Sequence, residues 1–310
     1  MTTKKFIIDT DIGDDIDDAF ALYLAMRLKL DIIGVTTVFK NAIERSRMAK
    51  KLFKLYANGY ENVPVYTGYG QTLEDTVKID NHIVQYSSDL EKNEYKPDSE
   101  DSARAIEFLI QSAKKYGEDL TIIAIGPFTN IAKALKKDKS AFEKCKVVIM
   151  GGAYFRQYAD WNVMCDVKAA EILFKDCPNL ECLGADVTHL LNIGKENADK
   201  ITEYKGENEA VLYIKELLGV WREKSKTTPW LHDPLAVYYA VNSTICEMKD
   251  ASVVVLTDGL AKGLTFNVDE YKKASMNPAY NGLERPKKVK VAYNVDREKM
   301  IELFMNSILA

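Results

Sequence analysis

Cysteine is scarce and scattered: Cys145, Cys165, Cys177, Cys182 and Cys246 are odd in number, and no two stand in the CxxC spacing of a zinc knuckle. That excludes a sulfur-built metal site and leaves reduced, mostly buried thiols, as expected in a cytoplasmic protein. An excess of positive charge is also missing. With 42 Lys and Arg against 46 Asp and Glu, the formal net charge is −4, which gives no basic stripe for a nucleic-acid polymer and little attraction to an anionic membrane. Any link to nucleic acids should therefore run through their monomers. No apolar run is long enough to span a bilayer, and Lys4 and Lys5 lead straight into Phe6-Ile7-Ile8 with no secretory signal segment between. No Pro-, Ser- or Gly-rich linker and no internal repeat divides the chain, so residues 1–310 read as one domain.

What is present is the raw material of a large core, with 47% apolar and 28% charged residues. Short, often β-branched runs at 6–8, 31–38, 120–125, 146–150, 180–183 and 253–256 predict strands. Between them, periodic stretches at 18–28, 42–57, 102–116, 130–136, 168–174, 210–223 and 234–241 predict helices. The polar stretch 87–101 reads as a loop or helix cap. This alternation predicts an α/β fold: a Rossmann-like open sheet, mostly parallel, with helices on both faces and functional residues just past the strands' carboxyl ends.

The densest signal follows the first strand. Asp9, Asp11, Asp14, Asp15, Asp17 and Asp18 place six carboxylates within ten residues. Helix capping accounts for one or two of them, such as Asp15 and Asp18. It does not account for Asp9 and Asp11, which leave the end of the strand rather than enter the helix. Carboxylates this close raise one another's pKa unless a cation neutralises them, and oxygen-only ligands select a hard ion, Ca²⁺ or Mg²⁺. A strand ending in DxD also opens haloacid-dehalogenase-type phosphatases, but those place a small pair such as Gly-Thr after the DxD, where this chain has Ile12-Gly13 and four more aspartates.

Four further segments occur in order. Gly34-Val35-Thr36-Thr37-Val38-Phe39-Lys40-Asn41 comes first, then Ile125-Gly126-Pro127-Phe128-Thr129-Asn130-Ile131-Ala132, then Met150-Gly151-Gly152-Ala153, and last His232-Asp233-Pro234-Leu235-Ala236-Val237. With the acidic opening, they resemble the inosine–uridine-preferring nucleoside hydrolase family over nearly the whole chain. Taken singly, each has a plainer reading as a buried strand, a turn or a cap. For Asn130 the cap is the preferred reading.

The resemblance implies a nucleoside hydrolase fold and cleavage of ribonucleosides to ribose and free base by a calcium-activated water. It implies calcium ligation by Asp11, Asp18, Asp233 and the backbone carbonyl of Ile125, with Asp11 also the general base. Asp17 and Asn41 would hold the ribose diol, Asp160 and Asn162 the 5′ side, and His232 would act on the leaving base. Trp230 is a candidate to stack on that base. The partner implied is a small nucleoside, in a homodimer or homotetramer.

The chain departs from the family pattern in three places. Asp14-Asp15-Ile16 lengthen the acidic loop by two residues, which makes Asp15 a candidate replacement or additional ligand. The family's EFN becomes Asp160-Trp161-Asn162, and Tyr154 stands where an Asn is usual. His82 is given no role. A catalytically silent ribose- or nucleoside-binding protein is the alternative on the same fold; Asp11 and His232 argue against it.

Overall fold

The computed structural model describes residues 4–74, 80–270 and 286–310. Among these, the strands are β1 (Lys5–Thr10), β2 (Ile32–Thr37), β3 (Val65–Thr67), β4 (Leu120–Ala124), β5 (Lys146–Met150), β6 (Leu180–Leu183), β7 (Cys246–Val255), β8 (Thr265–Asn267) and β9 (Lys288–Val295). They form one sheet in the order β3-β2-β1-β4-β5-β6-β9-β7-β8. Pairing is parallel from β3 through to β9, whereas β7 runs antiparallel to both β9 and β8. The sheet is thus mostly parallel, as expected, with an antiparallel margin that the strand pattern did not announce.

The helices are α1 (Asp17–Arg27), α2 (Ala42–Tyr56), α3 (Ser102–Tyr116), α4 (Thr129–Asp138), α5 (Trp161–Cys165), α6 (Val167–Asp176), α7 (Ala185–Thr188), α8 (Gly194–Thr202), α9 (Glu209–Ser225), α10 (His232–Val241) and α11 (Arg297–Leu309). All seven expected helices are present within a few residues of their predicted bounds. The 87–101 stretch is a connection with two short 3-10 turns, Ser88–Glu91 and Asn93–Tyr95, and its last residue, Asp101, caps α3 by accepting from the Ala103 amide.

Successive side chains of a strand point to opposite faces, and β1 shows the consequence. Ile8 joins a core shared with α1, α9, α10 and α11, while Ile7 joins the core beneath α3, α4 and α6. Helix α1 is buried from Asp17 to Met26, and Phe20 meets Phe304 of α11 with ring centroids 4.8 Å apart. A helix apolar all round needs such cover on every side.

The chain passes from β1 outward to β2 and β3, then returns across to β4 on the other side of β1. Strand order therefore reverses between β1 and β4, and the loops after these two strands part to leave a crevice. Those loops carry the acidic run and the Ile125-Gly126 segment.

Candidate active site

At that crevice lies a cavity of about 480 Å³ lined by Asp11, Asp14, Asp15, Asp17, Asp18, Lys40, Val84, Ile125, Met150, Tyr158, Asp160, Trp161, Asn162, His189, His232 and Asp233. Two helix N-termini meet there: α1 opens with Asp17-Asp18 and α10 with His232-Asp233. Their positive dipole ends favour carboxylates at these positions.

The carboxylates of Asp17, Asp18 and Asp233 are buried, and their oxygens lie within 4.8 Å of one another. At an effective dielectric of ~20, two unit charges at 4.8 Å repel by about 3 kcal/mol. Three such pairs would consume a typical domain's whole stability margin. Burial first, and the neighbouring carboxylates second, push all three well above the ordinary carboxylate range. A trio of this kind must hold either protons or a cation, and its all-oxygen donors fit a hard divalent ion.

Asp11 and Asp15 line the same cavity without joining the trio. Burial raises Asp11 to about 6 against the opposing charge of Arg45. Gly126 leaves room for it, since a Cβ there would sit 2.8 Å from Asp11 Oδ1. Asp18 Oδ1 accepts hydrogen bonds from the Thr10 hydroxyl and, at 3.2 Å, from the Asp11 amide. The turn between them requires Gly13, whose φ is +124° and whose Cβ would lie 2.4 Å from Ile83.

Arg45 of α2, which the sequence reading did not single out, holds this loop in place. Its buried guanidinium donates to the carbonyls of Asp11, Ile12 (2.9 Å) and Phe39 (2.9 Å) and to Asp14 Oδ2 (2.7 Å). Asp14 also pairs with Lys40 at 2.8 Å. One of the inserted aspartates thus has a structural use in two ion pairs, and the other, Asp15, lies exposed at the cavity mouth.

Several expected residues settle elsewhere. Asp9 lies not at the strand's exit but within β1, and it does not line the cavity. Its Oδ1 accepts from Thr36 and, at 2.7 Å, from Asn130, and burial raises its pKa to about 7. Asn130 is correspondingly not the cap of α4. It clamps β1 to β2, donating to Asp9 and to the Thr37 carbonyl, and it accepts from the Tyr69 amide. Asn41 caps α2 by accepting from the Glu44 amide at 3.3 Å and does not line the cavity. Trp230 stands behind His232, with centroids 6.3 Å apart and planes 24° apart, and the aromatics that line the cavity are Tyr158 and Trp161. Tyr154 is buried, its hydroxyl donating to the Gly151 carbonyl at 2.6 Å.

Asp160 and Asn162 do reach the cavity. Asp160 caps α5 and is raised to about 6 by burial, and Asn162 donates to the carbonyls of Ile125 (3.0 Å) and Met150 (3.1 Å). His232 Nδ1 is 2.7 Å from the Thr188 hydroxyl, and burial, with help from His189 and Arg156, lowers its pKa to about 3. It is a neutral imidazole at physiological pH. The five cysteines are free and buried, and among the described residues no helix is long and apolar enough to cross a membrane.

These shifts set a stability test. A carboxyl raised on folding binds its proton more tightly in the native state, so its contribution is full below the unfolded value of about 4 and is lost as pH rises through the native value. Asp11 and Asp160 at about 6 and Asp9 at about 7 place the loss between pH 4 and 7. Calorimetry of cation-free protein should show the melting temperature falling across that interval, and a divalent cation should raise it most at the upper end. A cation-free melting temperature that climbs with pH and ignores added cation would contradict the cluster's assigned use.

The family model for inosine-uridine preferring nucleoside hydrolase matches residues 6–302. The chain is 29% identical to "Probable uridine nucleosidase 2" of Arabidopsis thaliana, over 99% of this chain and 98% of the relative. It is 26% identical to the pyrimidine-specific ribonucleoside hydrolase RihA of Shewanella sp. strain MR-7, over 99% and 96%. Among solved structures, the plant nucleoside hydrolase PpNRh1 superposes with a TM-score of 0.82 at 28% identity, covering all of both chains. A purine-preferring ribonucleoside hydrolase from Gardnerella vaginalis gives 0.73 at 26% identity, covering 98% of each.

Proposed function

Because the chain belongs to the inosine-uridine preferring nucleoside hydrolase family, we propose that calcium is its cation and that it hydrolyses ribonucleosides through the residues converging on the crevice. It is a glycosidase of the nucleoside-hydrolase type with an Asp-rich candidate metal site. The observation that carries the finer reading is the buried trio Asp17, Asp18 and Asp233 in one cavity with Asp11 and His232. Asp11, Asp18, Asp233 and the Ile125 carbonyl would hold the ion, with Asp17 beside them. So many protein oxygens suit Ca²⁺ better than Mg²⁺, which is usually held through one or two carboxylates and keeps several waters. When bound, the cation supplies positive charge that acidifies a water and steadies the ribose diol.

Asp11 takes the proton from the attacking water at its carboxylate. Asp17 accepts a hydrogen bond from a ribose hydroxyl. Asp160 and Asn162 orient the 5′ side, Asn162 through its amide oxygen, since its nitrogen is spent on two carbonyls. His232 faces the departing base. Being neutral, it meets the growing negative charge as a hydrogen-bond donor at Nε2, with Nδ1 turned to Thr188. Trp230 supports that ring from behind. Asn41 reaches the substrate only through the loop it caps, and Asp15 adds charge at the mouth.

The test is release of free ribose from a panel of ribonucleosides by calcium-loaded protein, read by reducing-sugar assay, with the 2′-deoxy compounds alongside. Deoxynucleosides should react far more slowly, because the missing hydroxyl leaves Asp17 unpaired. Equal rates on inosine and deoxyinosine would contradict the assigned pose.

A further inference from the structure

His189 lies at the end of α7, half-buried, and lines the cavity beside His232. Its ring stands edge-on to Tyr158 at 4.9 Å and to His232 at 5.3 Å. Nδ1 is in hydrogen-bond contact with Arg156 Nη2. A guanidinium has only donors, so Nδ1 must accept, and the ring's single proton is then fixed on Nε2. Arg156 is itself held in place. The same nitrogen donates to the Ala185 carbonyl at 2.6 Å, Nε lies 3.9 Å from Asp186, and the group sits 5.2 Å from the centre of the Tyr158 ring. The His189 backbone is pinned as well, its carbonyl accepting from Trp230 Nε1 at 3.2 Å. Burial, then the charge of Arg156, lowers the pKa of His189 and keeps the ring neutral.

We propose that His189, held by Arg156 as its Nε2–H tautomer, donates to an exocyclic oxygen of the base and so makes the site prefer oxo bases to amino bases. This rests on the nucleoside hydrolase reading, which places the base beside His232. A fixed donor pairs with the carbonyl oxygen of uracil or hypoxanthine. Against the amino group of cytosine or adenine it faces another donor, leaving both unpaired in a partly desolvated site. Inosine and uridine, the pair in the family's name, are both oxo nucleosides; what is inferred here is the residue that reads the oxygen, on an axis independent of the ring size that the names of the pyrimidine-specific and purine-preferring relatives distinguish. His189 is thus a specificity residue, and Arg156 a positioning residue acting through it.

The experiment compares kcat/KM for uridine against cytidine and for inosine against adenosine, using calcium-loaded wild type, His189→Phe, His189→Gln and Arg156→Gln. The wild type should favour the oxo member of each pair by about ten- to a hundredfold. His189→Phe, which keeps the ring packing, should bring both ratios close to one. His189→Gln, which can still donate, should restore part of the preference, and Arg156→Gln should lie between. A second readout needs no turnover: the ¹⁵N spectrum of histidine-labelled wild type should show His189, identified by its loss in His189→Phe, as the Nε2–H tautomer. In Arg156→Gln it should become a mixture. Ratios unchanged in His189→Phe, or a wild-type His189 protonated at Nδ1, would overturn the proposal while leaving the enzyme's reaction intact. Absence of ribose release from every ribonucleoside would overturn the nucleoside hydrolase reading and this proposal with it.

Discussion

Asp233→Ala is expected to lower turnover of every ribonucleoside by about 10³-fold or more, because the several kcal/mol that a bound cation contributes to a reacting centre would be lost. Asp233 is one of three buried carboxylates within 4.8 Å, and α10 carries no other carboxylate. The same substitution removes like-charge repulsion, so in the absence of cation the variant should melt no lower than the wild type. It should also lose the rise in melting temperature that calcium gives the wild type. This pairing of results separates loss of the site from loss of the fold. Metal analysis and initial rates on one preparation would decide it, and a variant with full calcium content or within tenfold of wild-type turnover would refute the assignment.

His232→Ala should leave calcium in place and act on the departing base. Removing one donor aimed at developing negative charge typically costs ~10²–10³-fold in kcat, and natural nucleosides should slow by about that much. A p-nitrophenyl riboside leaves as a phenolate that is already a stable anion, so its loss should be far smaller. The comparison depends on the variant binding calcium and ribose normally, which a calcium titration and ribose inhibition would check. Equal losses on both substrates would mean that His232 serves the cation site or the fold. Because burial already holds this imidazole neutral, its removal should not shift the acid limb of the pH profile. Protonation of Asp11 should set that limb instead, displaced below its cation-free value by bound calcium.

Much of the frame was legible because a buried parallel strand is a local signal. The runs of β4, β5 and β6 carry their own β-branched composition, and their bounds agree with the structure to within a residue. The antiparallel margin was harder to see. The near half of β7, Cys246–Ser252, mixes Glu, Lys and Asp with apolar residues on an outer strand, so only its apolar end, 253–256, stood out. Strands β3 and β8 have three residues each, too few to show a period. In β9 and α11 the periodicity is present, an alternating Lys288–Val291 and an amphipathic Arg297–Leu309, but neither falls near a motif.

The site divides the same way. Asp11, Asp17, Asp18, Ile125, His232 and Asp233 were legible because each stands where a strand ends or a helix begins, inside a motif with fixed spacing. Arg45, Lys40 and His189 were not, since their value lies in partners about 30 residues away in sequence. Asn41 and Asn130 show the limit of reading the same residue type twice. Both precede or open a helix; only Asn41 caps one, and Asn130 instead reaches back across the sheet to Asp9. A side chain's choice between a local amide and a distant carboxylate depends on packing that the flanking sequence does not contain.

The most direct measurement is free ribose released from inosine and uridine by protein stripped with a chelator and then reloaded with calcium. Ribose equimolar with free base is expected from the loaded protein, with loss of that release on stripping and its return with about one calcium per chain. No ribose from any ribonucleoside in the loaded protein, undiminished release after stripping, or inorganic phosphate freed from phosphate esters in its place would contradict that expectation.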